Sequence, residues 1–286
     1  MTRASPSPDR YCVLGNPVAH SKSPHIHARF AELTGQHIDY QRLLVPHGEF
    51  ASALAALGRS GVRGCNVTVP FKFEAYQLAT SRSDRAELAQ AANTLALQAG
   101  VVHADNTDGI GLVNDIQNNA GVLLVGRDVL LIGAGGASAG VLGPLLAAGP
   151  RRLVLTNRTL ARAEALAAAH RSHDSMQSAL GRTEFLVAPI DQLPGSFDVL
   201  VNASASSLAG AAVPVSDSAL RPGALAYDLM YGPAAEPFMA WAQALGAIPR
   251  DGLGMLVEQA AEAFSLWRGV RPPAAQVLKE MRAQPV

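Results

Sequence analysis

Cysteine is almost missing from this sequence: Cys12 and Cys65 are the only two in 286 residues. Neither has a second cysteine or a histidine at metal-ligand spacing, so both read as reduced core thiols, and a disulfide framework or a cysteine metal site is set aside. Net charge is missing as well. Lys+Arg and Asp+Glu stand at 23 each, leaving no overall field to draw the chain to nucleic acid or to an anionic membrane surface, and small-molecule chemistry becomes the default expectation. The start, MTRASPSPDRY, lacks the apolar segment of a signal peptide and reads as a loose tail, which points to the cytoplasm. Repeats and low-complexity tracts are absent. One uncharged run, Val129 to Pro150, has the length of a bilayer-spanning helix, but glycines and Pro144 interrupt it.

Lysine is the other shortage. There are three, Lys22, Lys72 and Lys279, against twenty arginines, so wherever a fixed cation suffices the chain supplies arginine. A desolvated amine can lose its proton and a guanidinium cannot, which makes Lys72 the candidate acid/base. The plainer reading, a solvated lysine in the first turn of a helix, is disfavoured by the helix dipole.

What is present is organised around Asp128 to Gly149. Val129–Ile132 form a short apolar strand, Gly133, Gly135 and Gly136 follow, and a helix of small and apolar residues begins. Gly133 allows a sharp turn, Gly135 lets a pyrophosphate approach bare backbone, and the first amides of the helix face the phosphates. A methyltransferase can use the same turn. The next strand, Arg152–Thr156, ends in Asn157-Arg158-Thr159, with Arg162 one turn on. Cations there suit a 2′-phosphate, so NADP is expected over NAD, unless the arginines are only a solvated helix start.

The length, with 49% hydrophobic residues, favours two domains. Tyr11–Leu14 read as a strand entering GNPVAHSKSP (15–24), whose Ser21 and Ser23 are substrate-binding candidates. Ser23 reads equally as the N-cap of a helix starting near Pro24 and carrying Ile26, Phe30 and Leu33. A strand over 38–45 and a helix over 50–57 precede GCNVTVPFKFEAY (64–76), where a strand over 65–69 puts Asn66 and Thr68 on one face and Lys72 opens a helix. A helix over 84–92 leads to a strand over 93–97, which turns at Gly100. In DNTDGIG (105–111), Asn106 and Thr107 are candidate caps, and Asp108 complements the dipole of a helix running through Ile116. Further strands at 184–188, 198–206 and 224–228 alternate with helices, which predicts a parallel, doubly wound sheet with right-handed crossovers. In the final block, DGLGMLVEQAAEAFSLWRG (251–269), Gly252 and Gly254 make a turn before a helix. Gln259 lies on the apolar face of that helix and needs a backbone or ligand partner.

Taken in order, GNPVAHSKSP, NVTVPFK, AANTL, NTDGIG, GAGGASAG, NRT, YDLMYGP and DGLGMLVEQAAEAFSLW resemble the shikimate dehydrogenase family over nearly the whole chain. The resemblance implies a two-domain α/β fold. An N-terminal α/β substrate domain, residues 1–106 completed by 255–286, receives an inserted Rossmann-type NADP-binding domain, residues 107–254. The implied reaction is NADPH-dependent reduction of 3-dehydroshikimate to shikimate, on the way to aromatic amino acids, by a monomer or homodimer without metal. Lys72 and Asp108 would form the catalytic pair; Ser21, Ser23, Asn66, Thr68, Asn93, Tyr231 and Gln259 would hold substrate. The nucleotide would be held by Gly133, Ala134, Gly135, Gly136 and Ala137, by Asn157, Arg158, Thr159 and Arg162, and by Met230, Gly252 and Met255. Ala139, Ser204 and Glu236 depart from the family pattern and bear on cofactor affinity rather than on the pair. A quinate or dual-specificity dehydrogenase is the near alternative, and a non-catalytic regulator sensing NADP or shikimate is the alternative of another class.

Overall fold

The computed structural model describes residues 7–204 and 213–283; residues 1–6 of the expected tail, and Ala205 and Ser206 of the expected 198–206 strand, lie outside them. In chain order the elements are β1 (Asp9–Gly15), α1 (Ser23–Thr34), β2 (Ile38–Leu44), α2 (Phe50–Arg59), β3 (Gly64–Val67), α3 (Lys72–Leu78), β4 (Ser81–Arg82), α4 (Asp84–Ala89), β5 (Thr94–Gln98) and β6 (Val101–Asp105). Then come α5 (Asp108–Asn114), β7 (Asp128–Ile132), α6 (Gly136–Ala147), β8 (Arg152–Thr156), α7 (Leu160–Arg171), α8 (Gln177–Leu180), β9 (Glu184–Val187), β10 (Phe197–Asn202), β11 (Leu220–Asp228), α9 (Glu236–Ala244), β12 (Ile248–Arg250), α10 (Leu253–Arg268) and α11 (Ala274–Ala283). The chain divides into two compact units, residues 1–107 with 257–286, and residues 108–256.

The first unit has a six-stranded sheet in the order β2-β1-β3-β5-β6-β4. It is mixed: β1 runs parallel to β2 and β3, whereas β5 is antiparallel to both β3 and β6. The expectation of parallel pairing is corrected in this unit, because the Ala99-Gly100 turn, with φ of 50° and 82°, folds β5 straight back on β6 as a two-residue hairpin. Alternation sorts the faces. Cys12, Leu14, Cys65 and Val67 pack with Phe50, Leu54 and Phe71, while Tyr11, Val13 and Tyr40 face the other way with Trp267 of α10. Trp267 stacks on Tyr11 at 4.7 Å and donates its indole hydrogen to the Leu95 carbonyl at 3.0 Å. Gly64 makes room, since a Cβ there would lie 2.5 Å from the indole nitrogen. The two cysteines, remote in sequence, are register partners on β1 and β3, buried and unbridged. A hydrogen bond with Cys12, reinforced by burial, pushes the Cys65 thiol well above its ordinary value.

The second unit is an all-parallel sheet, β12-β11-β10-β7-β8-β9. Its strand order reverses between β7 and β10, the place where open α/β sheets hold ligands. α5 lies tight on α6 because Gly109 has no side chain: a Cβ there would come within 2.4 Å of the Gly140 carbonyl and of Pro144. At the opposite end of β7 the fully buried Asp128 is gripped by Arg151, Arg152 and Arg221. Among the described residues no helix is long and apolar enough to cross a membrane, and no acidic, histidine or cysteine cluster could hold a metal.

Two buried imidazoles tie stability to pH. His27 of α1 is fully buried and stacked on Tyr40 at 4.2 Å, and burial pushes its pKa down to about 3. In α7, burial pushes His170 down to about 4. The unfolded chain takes up these protons near pH 6.5 while the folded chain refuses them, so stability is full above pH 6.5 and declines as pH falls toward 4. Each histidine contributes a slope approaching about 1.4 kcal/mol per pH unit. Denaturation midpoints measured from pH 7 to 4.5 are expected to fall, and His27→Gln, which never takes up a proton, should flatten that slope.

Candidate functional site

In the first unit, polar side chains from distant stretches form one buried hydrogen-bonded set. β3 is apolar on the Cys65 and Val67 side, so Asn66 points to the opposite face. There it accepts from the Tyr40 hydroxyl at 2.7 Å and donates to the Asn93 carbonyl at 3.2 Å and to Thr94 Oγ1 at 3.1 Å. The Asn93 amide donates to Thr107 Oγ1 at 2.9 Å and to Gln259 Oε1 at 3.1 Å, and its oxygen accepts from the Thr107 main chain at 2.8 Å. Gln259 of α10, expected to need a polar partner, has one in the Asn93 amide, with Thr107 Oγ1 at 3.4 Å. Ser21 and Ser23 are joined at 3.2 Å, and Arg42 holds the Ser21 carbonyl. Ser23 is no N-cap. It is the first residue of α1, Lys22 takes the cap position without a side-chain cap bond, and Ser21 Oγ accepts from the Ser23 N–H at 3.3 Å.

β3 ends at Val67, two residues short of the expected limit, and Thr68 receives its fold from main-chain bonds: its N–H reaches the Leu14 carbonyl and its carbonyl accepts from Phe71. Lys72 is the first residue of α3, and its carbonyl accepts from Ala92 N–H at 2.8 Å, pinning the helix start to the Ala92-Asn93 turn. Thr107 is drawn into the network through its hydroxyl, and Asn106 reaches the Ala91 carbonyl at 2.9 Å. Asp105 was not singled out by sequence, yet it anchors this loop. It accepts two hydrogen bonds from Arg85 and one from Ser83, and against the pull of burial these hold its carboxyl below the usual range. Tyr40 was missed too. Burial raises its hydroxyl well above the ordinary value, and it touches both Asn66 and Ser23.

In the second unit β7 runs into Gly133, whose φ is +116° and whose Cβ would meet the Ala203 carbonyl at 2.9 Å. Ala134 and Gly135 follow. Among the described residues nothing lies within 4 Å of a Cβ at Gly135, and α6 starts at Gly136 and runs on through Ala137. Beside this loop β8 ends, Asn157 bonds the Thr159 carbonyl at 2.9 Å, and Arg158, Thr159 and Arg162 are exposed at the start of α7. Met230, Gly252 and Met255 are gathered at the ends of β11 and β12. Asp228 accepts from Met230 N–H at 2.9 Å, Gly252 N–H bonds the Met230 carbonyl at 2.8 Å, and Met255 N–H bonds the Tyr227 hydroxyl at 3.1 Å. Gly254 lies inside α10 rather than in the turn, and a carboxylate, that of Asp115, occupies the space a Cβ would need. Asp108, buried, opens α5, whose continuation at Asp115–Asn119 widens into a π-helical turn. Tyr231, half-buried, precedes the short turn at Gly232–Ala235.

Comparison with known proteins places these features in a family. Family models match three stretches: the shikimate dehydrogenase substrate binding domain over residues 13–95, shikimate / quinate 5-dehydrogenase over 116–208, and the shikimate 5′-dehydrogenase C-terminal domain over 252–282. A shikimate dehydrogenase (NADP(+)) of Acidovorax sp. (strain JS42) is 64% identical over 276 residues, 96% of each chain. The crystal structure of an Ael1 enzyme from Pseudomonas putida superposes with a TM-score of 0.85 at 43% identity, over 95% of this chain and 97% of that one. Shikimate 5-dehydrogenase from Thermus thermophilus, in complex with NADP(H) and shikimate, superposes with a TM-score of 0.83 at 31% identity, over 96% and 99%. On this likeness, which runs through both units, the chain belongs to the shikimate dehydrogenase family.

Proposed function

We propose that this protein reduces 3-dehydroshikimate to shikimate with NADPH, reversibly, in the cytoplasm. The observation that carries the reading is the buried Asn66–Asn93–Gln259 network. A small ring bearing a carboxylate and several hydroxyls is recognised by neutral donors and acceptors held in fixed positions, and side chains bonded to one another keep those positions. With Ser21, Ser23, Thr68 and Tyr231 they form the substrate set; residues 1–106 with 255–286 serve the substrate and 107–254 the nucleotide.

The glycine loop fits a dinucleotide. Space is open at Gly135, the amides of Gly136 and Ala137 stand in the first turn of α6 without partners inside the helix, and a pyrophosphate is the group such amides bind. Arg158 and Arg162 offer exposed guanidinium groups at the end of β8 for a 2′-phosphate, and Asn157 stands where a carboxylate would repel it. Met230, Gly252 and Met255 complete the cofactor set. NADPH, when bound, supplies the hydride for the ketone carbon. Lys72 donates the proton that the developing alkoxide requires and takes it back in the reverse direction, while Asp108 orients the amine. Acid/base assistance of this kind is worth about 10²- to 10⁴-fold.

Lys72→Ala is expected to lower kcat by about 10²- to 10⁴-fold with KM for shikimate little changed, and Lys72→Arg should not restore it, because a guanidinium holds its proton. NADPH absorbance read with 3-dehydroshikimate, and then shikimate against quinate with each nicotinamide cofactor, tests the reaction. Absence of turnover would point to a regulator, and quinate oxidation with NAD to the sister activity. Replacing Arg158 and Arg162 together with alanine should raise KM for NADPH by roughly tenfold or more and leave NADH use unaltered. Gly133→Ala must adopt a left-handed φ against a carbonyl, so its melting temperature should drop by several degrees. Gly135→Ala should melt like the parent yet bind NADPH more weakly in a fluorescence titration.

A further inference from the structure

The start of α10 is capped from elsewhere. Gly252 precedes it without a side chain, and none fits, since a Cβ there would sit 2.2 Å from the Leu229 carbonyl oxygen. The first amides of a helix have no acceptor within it. Met255 N–H donates to the phenolic oxygen of Tyr227 at 3.1 Å, one residue before Leu256 N–H bonds the Gly252 carbonyl at 2.9 Å. Tyr227, fully buried on β11, donates its own hydrogen to Asp115 Oδ2 at 2.7 Å. Asp115, also fully buried, is held by Arg250 Nε at 2.7 Å and Nη2 at 2.5 Å, and by Asn119 at 3.0 Å. Gly254 lets that carboxylate rest against the helix start, where a negative charge is favoured: a Cβ there would lie 2.0 Å from Oδ1. A hydroxyl that donates to a carboxylate is a better acceptor, so the chain Arg250–Asp115–Tyr227–Met255 strengthens along its length.

We propose that Tyr227 is a positioning residue for hydride transfer: anchored by Asp115 and Arg250, it is a remote cap that fixes the backbone of Met255 and through it the side chain at the nicotinamide. The inference rests on the proposed placement of Met255. A shift of the order of 1 Å in a positioning group costs up to about 10²-fold in rate, and a backbone amide bonded to a buried, twice-anchored hydroxyl has little freedom to shift.

Tyr227→Phe keeps the ring and removes only the hydroxyl. In the free protein, hydrogen exchange at the Met255 amide should quicken by about tenfold or more, with α11 unaffected. In turnover, kcat should fall by about tenfold, with KM for 3-dehydroshikimate held within about twofold. Since Tyr227 acts through Met255, the double variant Tyr227→Phe/Met255→Ala should lose no more than Met255→Ala alone. Unaltered exchange at Met255, or losses that multiply in the double variant, would overturn the proposal. If Met255→Ala itself leaves kcat and NADPH affinity unchanged, the placement of Met255 is wrong whatever the exchange shows. Should Tyr227→Phe not fold, Arg250→Lys keeps the charge and loses the two-pronged grip; it must show faster Met255 exchange, and parental exchange in a folded Arg250→Lys protein refutes the anchor.

Discussion

One buried amide, that of Asn93, holds the first unit of this protein together. Its nitrogen, its oxygen and its main chain are all engaged, with Thr107, Gln259, Thr94, Asn66, Val67 and Asp105. A buried polar group left unpaired costs about 1–3 kcal/mol, so each of these partners is under pressure to stay where Asn93 needs it. Three strands and the long C-terminal helix are thereby locked at one place. The same lock aims neutral donors and acceptors without any mobile charge, which suits recognition of hydroxyls.

The second unit, residues 108–256, solves its geometry by omission. At Gly109, Gly133, Gly252 and Gly254 the volume of a methyl group is already filled by a helix carbonyl, a strand-end carbonyl, a turn carbonyl and a carboxylate. Glycine at these places lets polar backbone and buried charge approach closely, and a sharp strand-to-helix turn, a helix pair and a helix start all follow from it. Gly135 differs from these four. Among the described residues nothing lies within 4 Å of where its Cβ would be.

Much of this is visible in the chain read as letters. The β7–turn–α6 unit is local, and its glycines punctuate it clearly; Asn66 and Gln259 show as polar residues in apolar surroundings, and they do share one network. Long-range pairing is invisible. Nothing near Tyr40 signals that its hydroxyl meets Asn66, and Asp115 finds its partners Tyr227 and Arg250 112 and 135 positions away. The antiparallel entry of β5 beside β3 is equally hidden, because alternation reports burial and not strand direction. Asp105 looks like a loop residue until Arg85 closes on it. Ser23 has the right type and place for a cap, but the turn closes one residue earlier.

The split of the first unit between residues 1–107 and 257–286 has a consequence for biosynthesis. Trp267 covers Gly64 and reaches the Leu95 carbonyl, and Arg268 clasps Asp9, so the early-made sheet waits for residues 257–286 to be synthesised. The intervening 108–256 segment is contiguous and has its own core, so it folds first as vectorial synthesis proceeds. Until then the nascent N-terminal strands expose the face that Trp267 will shield, which makes that interval the one in which a chaperone has a surface to hold.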